Sequence, residues 1–149
     1  VFRALIEPAM INKWFDSMSA IVEPRQGGRY YLNWKYQVDG KDVAGGPTKI
    51  LEIVPDEKLV LDWPDSRGDT TVTGQTISFH LESVGDATKV TFVHAGFGRT
   101  ADISDYPFGW EYFLGELVKP SACAGSKRVI ACVASPSDGQ PSVRRPQKR

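Results

Sequence analysis

The sequence predicts an α+β fold in which helices flank an antiparallel run of strands. Apolar residues recur every three or four positions near Val1 and again near Trp110, as on helical faces. Between these two segments the period is two, and turn-forming residues separate the alternating stretches. Because each strand follows its predecessor through a short connection, we expect a meander, built around one core in a chain of 149 residues.

The N-terminal segment predicts two short helices. Its apolar residues are spaced as on two helical faces: Val1, Ala4, Leu5, Ile11, Trp14 and Phe15. Proline is tolerated in the first turn of a helix but disfavours helical geometry in the residue before it. Pro8 therefore predicts a break near Glu7.

From Ile21 onward, alternating apolar residues predict strands with one face turned inward. The first of these strands is expected to continue past Tyr36, and Asp39-Gly40 predicts a two-residue hairpin. The expected inward positions are Tyr30, Leu32, Trp34, Tyr36, Leu59, Leu61, Trp63, Ile77, Phe79, Leu81, Val90 and Phe92.

The segment "YPFGWEYFLGELVK" returns to helical spacing, with an apolar stripe that includes Trp110 and Leu114, and it ends at Lys119-Pro120. Residues 120–149 hold four prolines, five serines and six basic residues without a sustained period. We predict a folded domain over 1–119 and a disordered basic tail over 120–149.

Charge and composition argue against several classes of function. Residues 1–119 carry 12 Lys or Arg against 17 Asp or Glu, so nucleic acid is not expected as a partner. No run approaches the ~18 apolar residues of a membrane span. Both cysteines, Cys123 and Cys132, lie in the tail, which fits a reducing cytoplasm, and no metal or other cofactor is expected.

Five ordered segments carry a family resemblance: "VFRALIEPAMINKWF", "GGRYYLNW", "KILEIVPDEKLVLDW", "TKVTFVHAGF" and "GWEYFLGEL". Together they resemble the START-like (SRPBCC) helix-grip superfamily, and within it the family of activator of 90-kDa heat-shock protein ATPase homologues. The resemblance implies a helix-grip (START/Bet v 1-like) fold, in which a curved antiparallel sheet wraps on a C-terminal helix. It also implies an apolar cavity between the sheet and that helix.

The sequence departs from this family at both ends. Members usually begin with another strand, which would lie beside the strand containing Val90 and Phe92, and their last helix usually continues past the equivalent of Val118. We therefore expect a frame-shifted or foreign ending from about Lys119. We also expect an unpaired strand edge at Val90, through which a homodimer or an aggregate could form.

The predicted ligand-binding residues line the inward faces and the last helix: Tyr30, Leu32, Trp34, Tyr36, Trp63, Phe79, Phe92, His94, Trp110 and Leu114. A filled core is the alternative for each of them. For His94, three roles stay open: a structural histidine bonded to nearby groups, a ligand contact, or an acid–base catalyst. Glu52 and Asp62 are expected to lie on solvated outer faces, although a paired, catalytic arrangement is the alternative.

Three functions follow as hypotheses. The first is binding of a small hydrophobic molecule without a cofactor. The second, which the resemblance implies, is a partner module that modulates a chaperone ATPase. The third is a cyclase- or hydrolase-like enzyme, which would need His94 and a carboxylate to converge in the cavity.

Overall fold

The computed structural model describes residues 1–33, 37–38, 41–42, 47–67, 70–96, 106–119 and 128–134. In these ranges the helices are α1 (Phe2–Ile6), α2 (Pro8–Trp14) and α3 (Tyr106–Leu117). The strands are β1 (Ser19–Val22), β2 (Tyr30–Asn33), β3 (Gln37–Val38), β4 (Lys41–Asp42), β5 (Ile50–Val54), β6 (Lys58–Asp62), β7 (Asp65–Arg67), β8 (Thr70–Val72), β9 (Thr76–Val84), β10 (Ala87–Ala95) and β11 (Arg128–Ala134). This order confirms the predicted α+β class.

Pro8 divides the N-terminal segment into α1 and α2, as predicted. Glu7, between them, has extended backbone with φ −90° and ψ 119°. Because Pro8 has no N–H, the carbonyl of Ala4 loses the donor that would continue α1. The indole Nε1–H of Trp14 donates to that buried carbonyl at 2.8 Å, so α2 supplies the missing hydrogen bond.

The next carbonyl of α1 is satisfied from the sheet. The phenol of Tyr30, on β2, donates to the Leu5 oxygen at 2.7 Å. Burial raises the pKa of Tyr30 above its ordinary value of 10.0, so the hydroxyl keeps its proton and remains a donor. Two aromatic side chains therefore bond the end of α1 to α2 and β2.

The main sheet has the strand order β11-β10-β9-β6-β5, and its pairs are antiparallel except for β10 with β11. A bridge between Arg29 and Lys49 joins the β1–β2 pair to β5, and the Tyr30 N–H donates to the Thr48 oxygen at 3.0 Å. Strands β5, β6, β9 and β10 follow one another as the predicted meander, and the β7–β8 hairpin lies between β6 and β9 in the chain. The result is the curved antiparallel sheet of a helix-grip fold.

The core lies between the inward face of this sheet and the three helices. Leu59, Phe79 and Phe92 are in register across β6, β9 and β10, and each is fully or almost fully buried. From α3, Trp110, Leu114 and Leu117 are buried against the same cluster. The predicted inward positions that are described are buried or, for Trp63 and Leu81, partly buried against the core.

The hairpin predicted at Asp39-Gly40 has the expected flanking strands. Gln37 pairs with Asp42 and Val38 with Lys41, while the two turn residues lie outside the described residues. Strand β2 is described only as far as Asn33. Trp34 and Tyr36, predicted to continue it inward, also lie outside the described residues.

The predicted exposed edge at Val90 is wrong. Strand β11 pairs in parallel with β10 from Ala87 opposite Arg128 to Val93 opposite Ala134, so its main-chain groups satisfy those of β10. The expected disorder of 120–149 therefore does not hold for 128–134, whose sequence "RVIACVA" is rich in strand-forming residues. The rest of the tail lies outside the described residues.

Within the described ranges, no helix is both long enough and apolar enough to cross a membrane.

Replacing Tyr30 by Phe removes one hydroxyl and leaves the buried Leu5 carbonyl without its partner. We expect Tyr30→Phe to lower the free energy of unfolding by about 1–3 kcal/mol, measured by urea titration. Tyr31→Phe is the matched control, because Tyr31 is 50% exposed, and it should change stability by less than about 0.5 kcal/mol. Equal effects of the two variants would contradict this role of Tyr30.

Candidate functional site

His94 lies near the end of β10, on the same face as Val90 and Phe92, and is 6% exposed. Its ring faces two other elements of the fold. Trp110 belongs to α3, and Gln75, itself 2% exposed, directly precedes β9. These three side chains form a hydrogen-bonded chain between the helix and the sheet.

The chain of hydrogen bonds fixes the tautomer of the imidazole. An indole N–H can only donate, and Trp110 Nε1 lies 3.0 Å from His94 Nδ1, so Nδ1 accepts and carries no proton. A neutral ring then carries its proton on Nε2, which donates to Gln75 Oε1 at 2.9 Å. A proton added at Nδ1 would break the hydrogen bond to Trp110.

Main-chain contacts hold Gln75 in place beneath His94. The Gln75 carbonyl accepts from the Trp63 N–H at 2.8 Å, which joins the end of β6 to the start of β9. Gly96, one residue beyond β10, has φ +87°, and a Cβ there would lie 2.2 Å from the Gly74 oxygen. Only glycine permits this close approach, which brings the chain after His94 against the chain before Gln75.

The aromatic side chains of Phe15, Trp63, Phe92 and Phe113 surround Trp110. We call these residues, together with Trp110, the aromatic cluster. The ring centroid of Trp110 lies 4.4 Å from Phe92, 5.1 Å from Trp63 and 6.0 Å from Phe15. Such distances with tilted rings are typical of favourable aromatic pairs. Phe15, Phe92 and Trp110 are buried, whereas Trp63 and Phe113 are half-buried, so these two form the accessible rim of the aromatic cluster.

The structure brings together four of the predicted site residues and distributes the others. Trp110 contacts Trp63, Phe92 and His94, and Trp63 also contacts His94. Leu32, Phe79 and Leu114 belong to the same buried core, whereas the Tyr30 hydroxyl is bonded to α1. Trp34 and Tyr36 lie outside the described residues, so their assignment to the site stays a prediction.

Three residues of the site were missed by the sequence analysis: Phe15, Gln75 and Phe113. Gln75 alternates with Ile77 and Phe79, so an inward polar side chain was predictable one position before β9, close to the end of β10 where His94 lies. Phe15 was assigned only to a helical face, yet its ring lies 6.4 Å from Trp63 in a stacked arrangement. Its position directly after α2 gave no direct sign of contact with the site.

The two carboxylates considered as a catalytic pair have separate structural partners. Asp62 accepts from the backbone N–H groups of Thr48 and Lys49 at 3.0 and 2.8 Å, and Glu52 forms an ion pair with Lys58 at 2.7 Å. Register places Glu52 opposite Val60 and not opposite Asp62. Among the described side chains, no group of three or more His, Cys, Asp or Glu could hold a metal ion.

The fold and the ordered segments agree with one protein family. Residues 1–120 match the family model described as Activator of Hsp90 ATPase homolog 1-like protein. The chain belongs to this family. The match covers α1 to α3 and includes the aromatic cluster and His94. No curated protein and no solved structure matches the chain.

Removing the amide of Gln75 tests its bond to the histidine. Gln75→Met keeps a side chain of similar length but leaves the buried His94 Nε2–H without its acceptor. We expect the free energy of unfolding to fall by about 1–3 kcal/mol in chemical denaturation. Gln26→Met, at an exposed position, is the control and should shift it by less than about 0.5 kcal/mol. A loss no larger than that of the control would rule out this role.

The tautomer can be measured directly. In ¹⁵N-labelled protein near neutral pH, long-range ¹H–¹⁵N spectra should show the His94 proton on Nε2 and an unprotonated Nδ1. His80, which is exposed, serves as the internal reference for a solvated ring. A proton found on His94 Nδ1 would be incompatible with the hydrogen bond from Trp110.

Proposed function

We propose that this chain binds a small hydrophobic molecule between the curved sheet and α3. The supporting observation is the aromatic cluster, which lies between these two layers and has half-buried rings, Trp63 and Phe113, at its rim. Ligand sites in proteins are mostly lined by apolar and aromatic side chains, with a few fixed polar groups. Membership in the family is consistent with this role or with a chaperone-related one.

The internal hydrogen bonds of Trp110 and His94 favour a ligand that binds mainly through apolar contacts. The Trp110 N–H is already bonded to His94, and the His94 Nε2–H is already bonded to Gln75. A ligand that required either group would have to displace a buried internal hydrogen bond, which costs about 1–3 kcal/mol. The ring faces and the indole N–H of half-buried Trp63 are then the groups of the aromatic cluster that a ligand can contact, and desolvating the ring faces contributes roughly 25 cal/mol per Å².

In this proposal His94 positions Trp110 and does not bind the ligand itself. The hydrogen bond from Trp110 to His94 Nδ1 holds the N–H edge of the indole toward β10. In this orientation the Trp110 ring contacts Trp63 and Phe92. The ligand would then contact Trp63 and Phe113 first, because these are the members of the aromatic cluster that solvent reaches.

Binding is tested with a library of lipids and aromatic compounds, screened by tryptophan fluorescence and confirmed by native mass spectrometry. We expect a saturable ligand whose affinity falls about tenfold in Trp63→Ala, because one ring face of the contact is lost. Tyr31→Ala is the control, since Tyr31 is 50% exposed on β2 and is not a member of the aromatic cluster. Absence of any saturable binder, or equal loss in both variants, would contradict the proposal.

A chaperone-partner role is the second candidate, and the family description favours it. It requires a surface contact and a cytoplasmic location, but no ligand between sheet and helix. The test is co-purification with a 90-kDa heat-shock protein, followed by measurement of its ATPase rate with and without this chain. A changed rate that Trp63→Ala leaves intact would favour this role over ligand binding.

The described contacts of His94 give less support to an enzyme. A general base needs a free nitrogen lone pair near its substrate, and the Nδ1 lone pair accepts the Trp110 hydrogen bond. A cyclase- or hydrolase-like activity would therefore have to begin by separating α3 from the sheet at this point.

A further inference from the structure

Within the part of the chain that the structure describes, strand β1 lies at the edge of the β1–β2 pair. Among the described strands it pairs only with β2, from Ser19 opposite Asn33 to Val22 opposite Tyr30. Its four residues, "SAIV", include no charged residue and no proline. Charges, prolines and coverage by another element are the usual devices that protect a strand edge from pairing with another chain.

The alternation of hydrogen bonds along β1 shows which of its main-chain groups are directed away from β2. Glu23 directly follows the strand, and its N–H donates to the Arg29 oxygen across the pair at 2.9 Å. In an antiparallel ladder only every second residue bonds to a given neighbouring strand, so the main-chain N–H and C=O of Ile21 are also directed toward β2. Ala20 and Val22 therefore direct their N–H and C=O groups away from β2, toward the open edge.

This open edge is complementary to itself. When two β1 strands lie antiparallel about a two-fold axis at Ile21, Ala20 of each copy faces Val22 of the other. Each such pair exchanges both main-chain hydrogen bonds, because both residues direct these groups outward. A two-fold interface needs one patch that complements itself, and β1 meets this condition in that register.

The side chains of the outer face agree with the same register. Ile21 and Tyr31 are cross-strand partners and are 47% and 50% exposed, so together they form an exposed apolar pair on this face. In the paired arrangement, the two Ile21 side chains meet at the axis, with a Tyr31 flanking each of them. The result is a continuous apolar row across four strands, and such cross-strand pairs stabilise sheets.

Charge does not oppose this pairing. The register places Glu23 opposite Ser19 of the second copy, so no like charges face one another along the strand. The Glu23 carboxylate is also held by its own chain, since hydrogen bonds from the backbone N–H and then the side chain of Arg29 lower the pKa of Glu23. Its negative charge is therefore balanced locally.

We propose that two copies of this chain associate through β1, in antiparallel register centred on Ile21. This interface differs from the edge predicted from the sequence, because β11 covers the edge of β10. It is formed by β1, which contributes no residue to the aromatic cluster.

Sedimentation equilibrium of the full chain tests the association. We expect a concentration-dependent dimer that Ile21→Lys weakens by about tenfold or more, because two like charges would meet at the axis. Val84→Lys is the matched control, since Val84 is a β-branched residue of β9 with 46% exposure, close to the 47% of Ile21. This control should dimerise as the unmodified chain does, and circular dichroism checks that both variants are folded.

Disulfide cross-linking tests the register without depending on Ile21→Lys. In a chain with Cys123 and Cys132 replaced by Ser, Ile21→Cys should form an intermolecular disulfide, because facing residues of this type lie about 4.5 Å apart at Cα. Ser19→Cys should not, because the two copies of this residue would lie roughly 13 Å apart. A monomer at every concentration, a dimer that Ile21→Lys does not weaken, or equal cross-linking at both positions would overturn the proposal.

Discussion

The hydrogen bond from the Trp110 indole to His94 links α3 to the sheet, and much of the site depends on it. A buried indole N–H needs an acceptor, and the only one that His94 offers it is an unprotonated Nδ1. That requirement sets the tautomer, which in turn makes Nε2 a donor and gives Gln75 its partner. The Trp110 N–H on α3 thus determines which atom donates and which accepts in both hydrogen bonds of His94.

The need to pair buried polar groups also determines the contacts at the N-terminal helices. Pro8 interrupts the helical hydrogen bonds of the N-terminal segment, and Trp14 and Tyr30 satisfy the two carbonyls that follow from the interruption. In both places, an aromatic side chain fills the core with its ring and satisfies a buried polar partner with its edge. These aromatic residues are therefore structural members of the fold as well as candidate ligand contacts.

The spacing of apolar residues and the positions of prolines made the helices and most of the strands predictable from the sequence. The break at Pro8, the inward faces of β6, β9 and β10, and the stripe of α3 all follow from local spacing, because each depends on residues close in sequence. The hydrogen-bond partners of Trp14, Tyr30 and His94 do not, since they join residues that only the tertiary fold brings together. For the same reason, β11 was missed: its strand character is local, but its place beside β10 depends on the path of the chain after α3.

Strand β11 also has a consequence for the order of folding. Its register pairs Ala87 with Arg128, so β10 can gain this neighbour only after α3 and the segment that follows it have been synthesised. On the ribosome, the hairpin of β9 and β10 can form early, because its contacts are local. Until residue 134 has been synthesised β10 lacks this partner, and unpaired strand edges of this kind make a folding chain prone to aggregate.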